Sequence, residues 1–180
     1  EQQLSLAFLS SAVFTAAGTA FFAVSLYSLV RRPMLVVLAT VPGFYYLAFK
    51  MFDPHFGSPW SFANGMESGL SILFFGLLCY LLFSRRFLEP IAPWRVAVVS
   101  SIITIIVLSR LDDIFLFLPL FALILIRAND RSNALASAIV AAVIPLVVIG
   151  GYLLYNRHYA GLLLPISGVA KSYGLLHPVA

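Results

Sequence analysis

Residues 134–172 read ALASAIVAAVIPLVVIGGYLLYNRHYAGLLLPISGVAKS. From Ala134 to Leu154 the stretch holds no charged residue. It is long enough to cross a bilayer core, which takes roughly 20 mainly apolar residues as a helix. The run then gives way at Tyr155 to Asn156, Arg157, His158 and Tyr159, with Pro165, Ser167, Gly168 and Lys171 beyond. Two cations and several ring donors after an apolar run suit an anionic or sugar-like group held at a membrane surface. The rest of the chain repeats the apolar half of this pattern.

Of the 180 residues 62% are hydrophobic and 10% charged, with mean hydropathy +1.01. A soluble core of this size cannot use so much apolar surface, so the outside must be apolar too. The fold expected is an all-α polytopic membrane protein, a single transmembrane domain over 1–180 with about six spans. These fall at approximately 4–30, 34–49, 66–83, 95–109, 114–126 and 134–154, followed by an outer segment 155–180. The first run ends at Arg31-Arg32-Pro33, where a basic pair anchors in headgroups and proline stops the helix. Pro42-Gly43 interrupts the second run and makes it a kinked or tilted span, and Pro145 with Gly150-Gly151 invites a bend in the sixth. Ser10, Ser11, Ala12, Ala16, Ala17 and Gly18 make a face that another helix can approach closely.

The net charge is +4 and the pI about 9.5, but the cations stand at the ends of apolar runs. That is the pattern of topology signals and excludes a nucleic-acid patch. Cys79, the one cysteine, rules out an intramolecular disulfide. The chain starts at Glu1 and its first run lacks the basic leader of a secretory signal, so it reads as a piece of a longer polypeptide.

Successive spans alternate in direction. Arg31, Arg32, Arg85, Arg86, Arg95, Arg127 and Arg131 therefore fall on one side, and Lys50, Arg110, Arg157 and Lys171 on the other. The first side is the cytoplasmic one by the positive-inside rule. The outer face then receives the turn at Asn64 to Ser68, the island Arg110-Leu111-Asp112-Asp113 and the segment from Tyr155 to Ser172. It is read as the working face, and the membrane as a bacterial inner membrane.

Two readings of the island stand open. In one, Arg110 and Asp113 are a solvated i,i+3 pair between two short helices; in the other, Asp112 or Asp113 faces a cavity that binds sugar hydroxyls or a cation holding a phosphate. Two adjacent carboxylates support a divalent cation only weakly, because hard cations take several oxygen ligands. Glu67 reads either as a first-turn carboxylate answering the helix dipole or as a substrate ligand. His55 and His177 show no zinc-type spacing, so no metal site is assigned. There is no P-loop and no Ser or Cys nucleophile constellation.

The residues Tyr159-Ala160-Gly161-Leu162-Leu163-Leu164-Pro165-Ile166-Ser167-Gly168-Val169-Ala170-Lys171 resemble the Tyr-Tyr-Gly-Asp-Leu-Leu-Pro-Asn-Thr-Tyr-Tyr-Ala-Lys motif of polytopic GT-C glycosyltransferases of the arabinofuranosyltransferase and mannosyltransferase kind. Gly65-Met66-Glu67-Ser68 is similar to that family's Gly-Met-Glu-Thr at the head of a span, and Arg110-Leu111-Asp112-Asp113 to its Arg-Pro-Asp-Gly. The resemblance covers roughly residues 64–172. Leu162, Leu111 and Gly168-Val169 depart from it, which bears on the sugar or acceptor.

The resemblance implies a GT-C-like transmembrane core and transfer of a sugar from a polyprenyl-phosphate donor to a glycan or lipid-linked acceptor. Lys171, with Arg110 and Arg157, would hold the donor phosphate; Glu67, Asp112, His158, Tyr159 and Ser167 would line the substrate site. The family's catalytic base lies in a first outer loop, expected here upstream of Glu1, with Asp112, Asp113 and Glu67 as fallbacks. The rival of another class is a non-enzymatic membrane subunit of a larger assembly. A transporter is a third reading, without support from an internal repeat or a mid-membrane charge.

Overall fold

The computed structural model describes residues 2–49, 66–128 and 130–161. Among the described residues the regular structure is helical, with no strand. In chain order the helices are α1 (Gln2–Val30), α2 (Pro33–Phe49), α3 (Met66–Cys79), α4 (Pro93–Ser109), α5 (Phe117–Arg127) and α6 (Arg131–Ala160). A π-helical turn, Tyr80–Ser84, continues α3, and a 3-10 segment, Leu111–Leu116, leads into α5.

Two helices are long and apolar enough to cross a membrane, at Leu9–Val30 and Arg131–Tyr159, with hydropathies of 1.7 and 2.4. Only 17% of each window is buried, whereas the core helix of a soluble protein is mostly buried. Leu125, Ile126 and Leu146 likewise turn more than 70% of their surface outward. Apolar side chains left outside on this scale fit an apolar surrounding, as a membrane offers.

The helix directions follow from side-chain pairings. Along α1 and α3, Ser11 meets Gly69, Gly18 meets Ile72 and Gly76, and the rings of Phe21 and Tyr80 lie 5.5 Å apart. Ser84 then donates to the Ser28 hydroxyl at 3.2 Å. Both positions rise together, so α1 and α3 run parallel. The same holds for α4 and α6: Asn133 Nδ2 donates to the Ile91 carbonyl at 2.8 Å, and further on Ser100 Oγ donates to the Ala141 carbonyl at 3.1 Å.

The hub is α4. Val96, Val99, Ile102, Ile103, Ile106 and Val107 are all buried, packed against Leu78 of α3, Leu120 and Ile124 of α5, and Ala141 and Ile149 of α6. Pro93 opens α4 where a missing N–H costs nothing. Asp130 caps α6, accepting from the Asn133 amide at 2.6 Å. Its carboxyl is held below the usual carboxylate range by that bond and by the Ser132 hydroxyl.

Two sequence boundaries shift. The expected span at 114–126 begins instead as a 3-10 turn: Arg110 is extended, and the Asp113 amide bonds back to the Arg110 carbonyl at 2.9 Å, a three-residue closure. The outer segment expected from Tyr155 is still helix to Ala160, since nothing before Gly161 requires a left-handed backbone; Gly161, at φ 68°, ends it. The helix stays continuous through Pro145 and Gly150-Gly151 in α6 and through Pro42-Gly43 in α2, as apolar helices tolerate both residue types.

Candidate functional site

Arg110 and Asp113 border a cavity of about 440 Å³ between α1, α3 and the 3-10 segment. Thr19, Ser71, Gly76 and Leu116 also line it. Gly18 and Gly76 let α1 and α3 approach backbone to backbone beside it, since a Cβ on either would collide with the other helix. Thr19 spends its hydroxyl on the Thr15 carbonyl at 2.7 Å. The Ser71 hydroxyl is buried and has no hydrogen-bond partner. A buried unpaired hydroxyl costs roughly 1–3 kcal/mol, and Ser71 lines the same cavity as Arg110 and Asp113.

Of the other sequence-predicted residues, Glu67 lies in the first turn of α3, about one turn before Ser71, and Asp112 lies in the same 3-10 turn as Asp113. Both thus belong to the end of the bundle where Arg110 stands. Arg157, His158 and Tyr159 are exposed in the last turns of α6. Tyr159 stacks on Tyr155 with centroids 4.5 Å apart and takes His158 edge-on at 5.0 Å. The pairing of Ser100 with Ala141 sets the axial offset between α4 and α6. By that offset Arg157 projects about six residues, or ~9 Å, beyond Arg110. The structure therefore joins Arg110 and Asp113 at one cavity and leaves Arg157, His158 and Tyr159 outside its lining. Ser167 and Lys171 lie outside the described residues. Among the described residues no three His, Cys, Asp or Glu side chains come together in a group able to hold a metal ion.

A second, larger cavity of about 1110 Å³ opens at the other end of the helices and adjoins the first at Phe75 and Leu116. Leu78, Leu82, Ile103, Leu120 and Leu123 are among its apolar walls, and Arg31, Arg86, Arg127 and Glu89 stand at its mouth. Glu89 forms an ion pair with Arg127 and reaches Arg86 at 3.9 Å. The loop that places Glu89 is fixed by Arg95, which donates to the Phe87 and Glu89 carbonyls at 3.2 and 3.1 Å and stacks against Phe87 and Trp94.

Sequence reasoning took these arginines for topology signals and missed the cavity. Its one visible trace was the lack of a glycine where α1 and α3 stop. Arg31 and Arg86 instead hold the left-handed backbone at φ 52° and 45°. Comparison of the chain with protein-family models, with curated proteins and with solved structures gives no match.

Proposed function

We infer that the chain is the transmembrane region of a polyprenyl-phosphate-sugar-dependent glycosyltransferase of the GT-C kind, working at the membrane face that carries Arg110. In this reading α1, α2, α3 with its π turn, α4, α5 with its 3-10 lead, and α6 are six spans. The observation that carries it is the buried, unpaired Ser71 hydroxyl, on a residue that lines the same small cavity as Arg110 and Asp113. A sugar brings hydroxyls to such a wall, and a lipid phosphate pairs well with a guanidinium.

Transfer requires the acceptor oxygen to bond the anomeric carbon as the carbon–oxygen bond to phosphate breaks, with the polyprenyl phosphate leaving with the electron pair. A carboxylate takes the acceptor proton and a cation stabilises the departing phosphate. Arg110 fills the second role, joined by Arg157 from the last turns of α6 and by Lys171. Asp113 and Asp112, with Glu67 at the head of α3, are the carboxylates at this end. The face is the outer one if the end bearing Arg31, Arg86 and Arg127 is cytoplasmic.

The test is transfer from labelled polyprenyl-phosphate sugars by the protein in membranes, beside Arg110→Gln and Lys171→Ala. A loss of about a hundredfold or more in Arg110→Gln is expected, in line with removal of one preorganised charge-stabilising group. No transfer by the intact protein with any of several donors would replace this reading with the non-enzymatic subunit.

A further inference from the structure

We propose that the large cavity at the basic end binds an anionic phospholipid, its phosphate held between Arg31, Arg86 and Arg127 and an acyl chain laid along the groove above α3 and α4. This is independent of the transfer reaction, which concerns the opposite end of the helices.

Three observations converge. The first is shape and polarity. The cavity's walls, including Leu78, Leu82, Leu120 and Leu123, are apolar and its cations are confined to the mouth, which is the division of a lipid between tail and headgroup. At about 1110 Å³ it exceeds the roughly 300–1,000 Å³ of ordinary small-molecule sites. A free phosphate would leave the walls bare, so the occupant has to bring its own apolar part.

The second is charge. Three arginines face one carboxylate, Glu89, which is ion-paired with Arg127 and lies within 3.9 Å of Arg86. Glu89 holds two long side chains near the mouth and still leaves positive charge in excess. Guanidinium groups match phosphate oxygens with paired parallel hydrogen bonds, and negatively charged lipid is what a basic membrane-side cluster attracts.

The third is backbone conformation. Arginines that serve only as topology signals have no need of a left-handed backbone, a position helices normally give to glycine. Arg31 and Arg86 both adopt it, at the corresponding ends of two parallel helices, and both line this mouth. The π turn Tyr80–Ser84 just before Arg86 contributes Leu82, Phe83 and Ser84 to the same wall. Such turns recur where a helix has been adapted to bind something.

The experiment uses the protein purified in detergent, with retained lipid read by native mass spectrometry and binding by the shift in thermal unfolding. The probes are phosphatidylglycerol, phosphatidylcholine of the same chains, glycerol phosphate and a polyprenyl phosphate. Phosphatidylglycerol is expected to be retained and to raise Tm, while phosphatidylcholine and glycerol phosphate are not. Weakening of about tenfold is expected for each arginine lost, the size of a charge-assisted contact. The double variant Arg31→Gly with Arg86→Gly removes two cations and relieves two left-handed backbones. Its lipid-free Tm is therefore expected to hold or rise while affinity drops. Should that variant fail to fold, Arg127→Gln gives the same readout, and Leu82→Trp, which fills the groove, expels the lipid with all arginines present. Equal binding of phosphatidylcholine and phosphatidylglycerol, unchanged binding in the arginine variants, or tighter binding of the polyprenyl phosphate would overturn the proposal.

Discussion

Gly18 of α1 and Gly76 of α3 meet where the two parallel helices come closest, and a methyl group on Gly76 would overlap the Gly18 carbonyl oxygen. On Gly18 the same methyl would lie 2.7 Å from the Leu73 Cα. The obstructing atoms are backbone, so no side chain can swing aside. Ser11 and Ser25, seven residues to either side of Gly18, are buried as well, and Gly69, seven before Gly76, packs on Ser11. A seven-residue repeat of small residues keeps two parallel helices in contact over several turns. Gly76→Ala and Gly18→Ala are each expected to destabilise the fold by about 1–3 kcal/mol, the usual range for overpacking. Thermal unfolding in detergent reads this, and wild-type Tm in both variants would refute the packing.

Gly150 and Gly151 are the contrast. A methyl on either meets nothing within 4 Å, and both lie inside α6 with ordinary helical backbone. Alanine there lowers the entropy lost on helix formation without a clash. A gain of roughly 0.5–1 kcal/mol is expected for each, again by thermal unfolding.

Two buried serines predict opposite signs. Ser100 Oγ, on α4, donates to the Ala141 carbonyl of α6 at 3.1 Å, whereas Ser137 Oγ, on α6, is buried with no partner. Ser100→Ala is expected to cost about 0.6–1.7 kcal/mol, as for other interhelical bonds in membranes. Ser137→Ala removes a hydroxyl that already lacks a bond and is expected to be neutral or stabilising. Equal losses in the two variants would show that the pairing is not what holds α4 on α6.

The apolar runs were legible because a helix in lipid must satisfy its backbone internally and show apolar side chains outward, and both demands are written along the chain. So was the small-residue face of α1, since Ser11 and Gly18 stand where a neighbour lands; that the neighbour is α3, parallel to it, depends on three-dimensional packing. The 3-10 turn at Leu111 was hidden because composition does not distinguish it from a first α turn. Arg110 and Asp113 were readable as a charged island, but Ser71 was not, as one serine in an apolar run gains meaning only when burial leaves it unpaired. The cavity at the basic end was invisible for a related reason: arginines at helix ends have an adequate explanation in topology, and only their backbone angles and shared cavity add to it.

The Asp130 cap gives a pH dependence with a definite sign. Its carboxylate accepts from the Asn133 amide and the Ser132 hydroxyl, and its folded pKa lies below the ordinary value near ~4. A lowered folded pKa means the cap stabilises α6 fully above the unfolded value, and that the contribution fades as pH falls through the lowered folded one. Asp130→Ala is expected to lower Tm at pH 7 and to flatten the acid limb of the Tm profile. Asp130→Asn, which caps without titrating, is expected to keep most of the Tm and lose only the acid dependence. Parallel acid limbs in wild type and Asp130→Asn would remove Asp130 from that dependence.

Ser71 separates a binding wall from a mere packing defect at the Arg110 end. If its hydroxyl awaits a sugar oxygen, Ser71→Ala leaves the free protein as stable as before or slightly more so, because an unpaired buried group has been deleted, and raises KM for the sugar donor. One uncharged hydrogen bond of about 0.5–1.5 kcal/mol corresponds to a rise of roughly 2- to 12-fold. Asp113→Asn differs: with Asp113 as base, kcat falls far more than KM rises, since proton transfer contributes about a hundred- to ten-thousandfold. Asp113 in a binding role alone would instead show itself in KM with kcat kept. Measuring both constants with a labelled lipid-linked sugar distinguishes these cases, and an unchanged KM in Ser71→Ala would mean that no ligand oxygen reaches that wall.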